Sequence, residues 1–163
     1  MTQGNDLFMQ RAAKAQELES AGYDPYCNEF KPDTSVAPFM RLYASHTKEA
    51  LADLNASDDA ATHAVAGRVM AVNGFGKAAF IRIQDASCDE DIGDDQAAGP
   101  LQIYVRKNIL GEEIFKEQFG RLDIGDIVGV QGSPMRTKVG ELTLQATSFQ
   151  ILSKSLRPLP EKW

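Results

Sequence analysis

Two short segments, Ala78–Gln84 and Leu101–Arg106, carry the side chains best suited to recognition chemistry. In an extended strand, successive side chains face opposite ways. Ala79, Ile81 and Ile83 then share one face of the first segment, and Phe80, Arg82 and Gln84 share the other. In the second segment Leu101, Ile103 and Val105 face inward, while Gln102, Tyr104 and Arg106 face outward. If the segments are neighbours, Phe80, Arg82, Gln102 and Tyr104 lie on one outer surface. A ring, an amide and a guanidinium on one face are the parts of a platform for an unpaired nucleobase: the ring stacks, the amide reads an edge and the cation takes phosphate. Such stacking is worth about 1–3 kcal/mol per base. Alternation equally allows Phe80 to pack beneath an N-terminal helix or an acidic loop, and does not choose between the two.

Other constellations are weaker. Glu141 follows a turn glycine and starts a strand, where it can accept a hydrogen bond from a base or be an ordinary surface acid. Gly74-Phe75-Gly76-Lys77 joins a turn to a lysine, but it is not GxxxxGK[ST] and leads into a strand, so it is not read as a nucleotide loop. Cys27, His46, His63 and Cys88 lack metal-ligand spacing. The acids from Asp85 to Asp95 do not follow the EF-hand order and read as a solvated loop. No serine or cysteine stands in a recognisable nucleophile setting.

Hydrophobic periodicity supplies the elements that hold these residues. Residues 5–21 read as a helix capped by Asn5 or Asp6, with Leu7, Phe8, Ala12, Ala15 and Leu18 on one stripe and Gly22 at its end. Residues 36–54 read as a second helix. Near residue 60 the period changes from about 3.6 to 2. Strands are predicted over 63–72, 78–84, 101–106, 126–132 and 141–147, the last extending toward Leu152. Asn73-Gly74 is the predicted first turn, 89–100 a charged loop, and 111–119 a short helix. Three strands, a helix and two strands predict an all-β barrel with a helical N-terminal extension: a five-stranded OB-fold with a helix between strands 3 and 4. A small split sandwich is the rival. The division is 1–60 as extension, 61–152 as barrel, and 153–163 as a proline-stiffened linker.

Composition sets the outer limits. The chain has 163 residues with 17 Lys plus Arg against 23 Asp plus Glu, a formal charge of −6. That acidity argues against a polycationic nucleic-acid gripper. The charge is uneven, however. Residues 1–59 hold 5 basic and 10 acidic groups, and residues 84–99 hold six acids with no Lys or Arg. What remains after residue 59 is net +5. A polyanion site here relies on placed contacts more than on bulk charge. No run approaches the roughly 20 apolar residues of a membrane helix, and no secretory signal opens the chain. The two cysteines stand 61 residues apart and fit a reducing, cytoplasmic setting.

In order along the chain, several pieces resemble the N-terminal anticodon-binding part of class II lysyl-tRNA synthetases. Gly22-Tyr23-Asp24-Pro25-Tyr26 is similar to the family's G-x-x-P-Y turn, and Gly67-Arg68-Val69-Met70 to its G-R-x-M strand. Gly76-Lys77-Ala78-Ala79-Phe80 resembles G-K-A-S-F, with Gln84-Asp85 after it, and Leu101–Val105 resembles I-Q-L-Y-V. Leu122–Ile127 and Thr137–Leu142 continue the series. Leu152-Ser153-Lys154-Ser155-Leu156-Arg157-Pro158-Leu159-Pro160-Glu161-Lys162 resembles the L-S-K-x-L-R-P-L-P-x-K run that sets lysyl enzymes apart from aspartyl and asparaginyl ones.

The resemblance implies a domain that grips the splayed, uridine-rich anticodon of lysine tRNA. It places Phe80 against the central uridine and Gln102 and Glu141 on base groups. Arg68, Arg82, Tyr104 and Lys77 complete the expected RNA-binding set, Arg68 with either a structural or a phosphate-contacting role. It implies a lysine–tRNA ligase as full-length parent, with ATP and Mg²⁺ as cofactors, acting as a homodimer. This chain, ending near where the family's catalytic domain begins, is expected to hold no cofactor and no catalysis of its own, and to be able to stand as a monomer. tRNA is the expected partner, not DNA or a membrane. The alternatives are a stand-alone RNA-binding paralogue without ligase activity and a protein-interaction barrel that has lost tRNA binding. Three departures bear on the choice. Asn73 stands where the family has arginine, Ala79 replaces serine, and the acidic stretch after Asp85 is longer than usual.

Overall fold

Strand alternation positions most of the candidate residues. The computed structural model describes residues 2–27 and 29–157. Strands β1 (His63–Phe75), β2 (Ala78–Gln84), β3 (Leu101–Arg106), β4 (Ile127–Arg136) and β5 (Leu142–Ser153) form one sheet. β2 and β3 begin and end where alternation places them, with Ala79, Ile81, Ile83, Leu101, Ile103 and Val105 all fully buried. Their outward neighbours lie in register: Phe80 opposite Tyr104 and Arg82 opposite Gln102.

The predicted fold class needs correction. The sheet is mixed and shares its core with the preceding helices, so the expected all-β class does not hold. Its strand order, β1-β2-β3-β5-β4, returns on itself through β1–β4 pairing. The β3–β5 seam, however, is a parallel contact of three residue pairs, Gln102↔Thr143 to Tyr104↔Gln145, beside a β4–β5 ladder running from Ile127 to Arg136. The single helix expected between the third and fourth strands is two short helices, α4 (Lys107–Leu110) and α5 (Glu112–Glu117), followed by a 3₁₀ turn at Phe119–Arg121. Gly111, at φ +93°, separates them. The upstream helices also belong to the core. Val36, Phe39 and Leu51 lie in the same buried cluster as Val65, Ile81 and Ile103.

Those helices differ from their predicted spans for local reasons. α1 (Thr2–Ser20) begins before Asn5 and Asp6, which therefore lie inside it. It ends as expected. Tyr23 N–H donates to the Leu18 carbonyl at 2.9 Å and Gly22 N–H to Glu19 at 3.1 Å, with Gly22 at φ +93°, the backbone pattern of a Schellman cap. The predicted helix over 36–54 is broken into α2 (Val36–Tyr43) and α3 (Lys48–Ala56). Thr47 starts α3 by accepting from Ala50 N–H at 3.1 Å. The carbonyls freed at the break go to Arg136, which donates to His46 at 2.6 Å, Ala44 at 3.1 Å and Tyr43 at 3.2 Å.

Two strands outrun their predicted ends at glycines. β1 passes through Asn73-Gly74 to Phe75, and the turn falls at Gly76-Lys77. Gly76 has φ +71°, which suits the first central position of a II′-type two-residue turn, whereas Gly74 is not in the positive-φ region. β4 passes through Gly132, where a Cβ would lie 2.0 Å from the Gln145 carbonyl oxygen, next to a register shift at Gln131/Gly132. Gly132 is thus a bulge with close strand contact, not a strand end. The 89–100 segment is also more ordered than a loop. Asp91 and Ala97 form a bridge around a tip at Asp94-Asp95. The predicted linker beyond Arg157, with most of its proline run, lies outside the described residues.

A buried charge cluster joins α1, the turn before β4 and the end of β5. The Lys154 ammonium, with no exposed side-chain surface, donates to Asp126 Oδ2 and Asp123 Oδ2 at 2.7 Å each and to the Arg121 carbonyl at 2.9 Å. Asp126 also accepts from Asp123 N–H at 2.8 Å and Ser155 N–H at 2.7 Å. Lys14 of α1 reaches Asp123 Oδ1 at 2.8 Å. Burial pushes the Asp123 carboxyl up, but hydrogen bonds from Lys14 and Lys154 together hold it below its ordinary value. Among the described residues, no helix is long and apolar enough to cross a membrane.

Lys154→Met leaves the Asp126 carboxylate buried without its cation, and is expected to cost about 3–5 kcal/mol in urea denaturation. A loss under 1 kcal/mol would show the cluster to be dispensable. Asp123 supplies a pH prediction. Its folded pKa is depressed, so its contribution is full above the ordinary value of 3.8 and lost as pH falls through the folded pKa. Urea midpoints at pH 5 and pH 3 should therefore differ less in Asp123→Asn than in the wild-type protein.

Candidate nucleic-acid interface

The outward residues of β2 and β3 meet the end of β1 and the β4–β5 hairpin in one groove of about 510 Å³. Phe80 and Tyr104 stack with centroids 4.8 Å apart and planes 23° apart. Phe75, the last residue of β1, lies 5.7 Å from Phe80 at a tilt of 45° and is 53% exposed. Gln102, Thr137, Lys138, Val139 and Glu141 line the far wall, and Lys48 enters from the start of α3. Phe80 therefore packs beneath neither α1 nor the acidic loop; its ring belongs to an open aromatic surface.

The polar groups are held in place by one another. Arg82 grips Glu141 with two parallel hydrogen bonds, Nη1 to Oε2 at 2.7 Å and Nη2 to Oε1 at 3.0 Å. These bonds raise the Arg82 guanidinium above its ordinary pKa, with burial opposing. Each oxygen of Glu141 keeps lone pairs for a second donor. The Thr143 hydroxyl lies 2.9 Å from Gln102 Oε1 and 3.1 Å from the Glu141 carbonyl oxygen. The Thr143 contact at Oε1 orients the Gln102 amide, and its nitrogen has no hydrogen-bond partner among the described residues. A stacking ring, an amide donor and a carboxylate acceptor on one wall can meet the face and edge of an unpaired base.

The remaining predicted residues are placed differently. Lys77, in the β1–β2 turn, lines an adjoining cleft with Arg106 and Lys107. Arg68 stands apart from the group. It sits beyond the Val69/Ala71 register shift, and its Nη1 donates to the Gly125 carbonyl at 3.0 Å. Sequence reasoning missed Phe75, Thr143 and Lys48. Phe75 was hidden by reading Asn73-Gly74 as the turn. Thr143 and Lys48 carry no local signal, because only the β3–β5 seam and the α2–α3 break bring them to the groove.

The acidic stretch is pinned beside this face. Asp85 Oδ2 accepts from Val36 N–H at 2.9 Å, and Ser87 Oγ accepts from Ala37 N–H at 2.9 Å, so this segment caps α2. Arg41 of α2 holds Glu90 Oε1 at 2.9 Å and the Asp91 carbonyl at 3.0 Å. The tip around Gly93–Gln96 shares a cleft with Arg82, Gly140 and Glu141. Among the described residues, no group of three or more His, Cys, Asp or Glu side chains is arranged to hold a metal ion.

A rolled five-stranded sheet with an aromatic–amide–carboxylate outer groove fits what the comparisons return. Residues 64–152, more than half of the chain, match the family of the OB-fold nucleic acid binding domain, and the chain belongs to that family. It is 42% identical over 162 residues to the lysine–tRNA ligase of Anaeromyxobacter sp. (strain K), covering 99% of this chain and 28% of that protein. It is 43% identical over 159 residues to the lysine–tRNA ligase of Pelotomaculum thermopropionicum, covering 98% of this chain and 27% of that one. The lysine–tRNA ligase of Bacillus cytotoxicus is 40% identical over 159 residues, with 98% and 28% covered. The chain thus spans little more than a quarter of the length of the curated relatives it matches.

The Arg82–Glu141 pair is more than a third exposed on both sides, where such pairs contribute about 0–1 kcal/mol. Glu141→Gln is therefore expected to leave urea stability within about 1 kcal/mol of wild type. A loss above 2 kcal/mol would assign the pair to folding and not to the groove.

Proposed function

We propose that this chain recognises the anticodon loop of lysine tRNA, as the anticodon-binding part of a lysine–tRNA ligase. The observation that carries the proposal is the half-buried Phe80–Tyr104 stack lining an open groove, beside Gln102 and the Arg82–Glu141 pair. One unpaired uridine stacks on Phe80 and meets the Gln102 amide nitrogen with a carbonyl edge and Glu141 with its N–H. Arg82 keeps Glu141 turned toward the groove. The similarity to lysine–tRNA ligases over nearly the whole chain supports lysine tRNA as the partner. On this reading the full-length parent works in the cytoplasm as a homodimer and joins lysine to tRNA with ATP and Mg²⁺. The part described here supplies selectivity, with residues 61–152 as the binding unit. Asn73 faces Phe80 across the β1–β2 ladder and adds no charge there, so recognition rests on stacking and edge contacts.

The test is a low-salt titration of labelled lysine-tRNA anticodon stem-loop into the 163-residue protein. A stem-loop with its central uridine changed and a Phe80→Ala protein run beside it. Loss of one stacked base predicts a fall in affinity of about 1–3 kcal/mol for Phe80→Ala. Equal binding by both stem-loops and both proteins would leave a protein-interaction surface as the better reading.

A further inference from the structure

A base lying on Phe80 brings its phosphate to the same groove, where a cation within reach offsets the charge. The outward guanidinium that strand alternation offers for this task is not free, because Arg82 is committed to Glu141 by two hydrogen bonds. Arg136 also lines the groove, but it donates to the Tyr43, Ala44 and His46 carbonyls at the α2–α3 break. The groove's remaining cations are Lys48 and Lys138. Neither has an ion-pair or side-chain hydrogen-bond partner among the described residues. Lys138 stands at the tip of the β4–β5 hairpin, beside a Val139 that is 90% exposed. Lys48 is the first residue of α3, between the Thr47 cap and Leu51, which is fully buried in the core cluster. Its backbone is thus anchored at the groove's edge, although the family match begins only at residue 64. Lys48 does nothing for its own helix. A cation in the first turn opposes the helix dipole, which favours a carboxylate such as Glu49 there.

We infer that Lys48 holds a phosphodiester of the nucleotide stacked on Phe80, so that the helical segment ahead of the barrel is part of the RNA grip. The inference rests on reading the groove as a site for unpaired RNA. Lys48 lies in the more acidic part of the chain, among residues 1–59 with 5 basic and 10 acidic groups, so it is a single placed contact and not one cation of a basic surface. A flexible stem ending in a compact charge suits a phosphate, which asks for charge more than for a fixed angle. Base reading stays with Gln102 and Glu141. Phosphate contacts position a strand and base contacts choose it, so Lys48 adds affinity without adding base preference. Its misplacement in the helix is offset only when the anion is present.

The probes are the labelled lysine-tRNA anticodon stem-loop, the same stem-loop with its central uridine changed, and two stem-loops with a neutral methylphosphonate on one or the other side of that uridine. Each is titrated into the whole 163-residue protein at several salt concentrations. The variants are Lys48→Gln, Lys48→Arg, Lys138→Gln and Phe80→Ala, each with a thermal melt. Lys48→Gln should weaken the matched and the changed stem-loop alike, by about fivefold near 0.1 M salt, and lower the slope of log affinity against log salt by about 0.7, the loss of one phosphate contact on a single strand. Lys48→Arg should keep most of the affinity. The melting temperature of Lys48→Gln should equal or exceed that of the wild-type protein. One of the two methylphosphonates should cost the wild-type protein the same loss and cost Lys48→Gln nothing further. Wild-type affinity and slope in Lys48→Gln, while Phe80→Ala still weakens binding, overturns the role of Lys48 and leaves the base groove standing. A loss carried by Lys138→Gln instead, or one confined to the matched stem-loop, overturns it as well. A lowered melting temperature in Lys48→Gln, with Lys48→Arg binding no better, assigns the residue to folding. Binding indifferent to both Phe80→Ala and the central uridine overturns the groove and this inference together.

Discussion

A single buried cation sets the geometry at the end of the sheet. Lys154 closes β5 with its ammonium wholly inside the protein, where an uncompensated charge is untenable. Asp126 must therefore stand immediately before β4, and Asp123 must turn back beside it. Their backbones then serve the sheet directly: Val69 N–H donates to the Asp126 carbonyl and Gly125 N–H to the Val69 carbonyl, each at 2.8 Å. The starting register of β4 against β1 is fixed at that point. α1 is held to the same place by Lys14 and by Arg11, which donates to the Ile124 and Ser155 carbonyls at 3.0 and 3.1 Å. One charge balance thus docks the first helix, orders the turn before β4 and terminates the last strand.

The groove depends on that frame without sharing its chemistry. Charge is satisfied inside the cluster by full burial and several partners. In the groove it is satisfied by one bidentate pair at the surface, which water and a ligand can reach. A carboxylate held by a guanidinium presents to an incoming strand a nearly neutral, directional acceptor instead of a bare negative charge. That matters next to the acidic tip, whose Asp94 lines a cleft with the same pair. Arg41 draws the loop's shoulder toward α2, and Asp85 is committed to capping that helix. Several of the stretch's polar groups are thereby spent on the protein itself.

What could be read along the chain was what depends on a period of two. β2 and β3 and their inward and outward rows follow from alternation alone, and four of the groove's residues with them. The Schellman end of α1 was legible because Gly22 is the residue that tolerates its backbone angle. The failures share a cause. Gly74 and Gly132 look like stops, but each allows a strand to continue, Gly132 through a close crossing that no local pattern encodes. The break between α2 and α3 was not legible because an arginine some ninety residues downstream takes up the carbonyls that a continuous helix would have paired. Phe75 was missed with the misplaced turn, and Thr143 because only a short parallel seam brings it beside Gln102. The all-β, single-helix class failed for the same kind of reason: Gly111 divides the helix, and the seam's direction depends on the return path of the chain.

Arg136 gives the groove's far wall an unusual mechanical standing. Besides its three bonds to the α2–α3 break, it donates to the Gly140 carbonyl at 2.8 Å, inside the hairpin that carries Lys138 and Val139. Asn55 of α3 adds a bond to the Pro134 carbonyl at 2.8 Å on the same strand. A β-hairpin projecting from a sheet would ordinarily flex about its own base. This one is guyed to the end of α2 and the helix break by a planar guanidinium, and to α3 by Asn55, so displacing its tip strains the helix break as well. The wall facing Phe80 behaves as a buttress, and the width of the groove is set by the helices behind it as much as by the strands that line it.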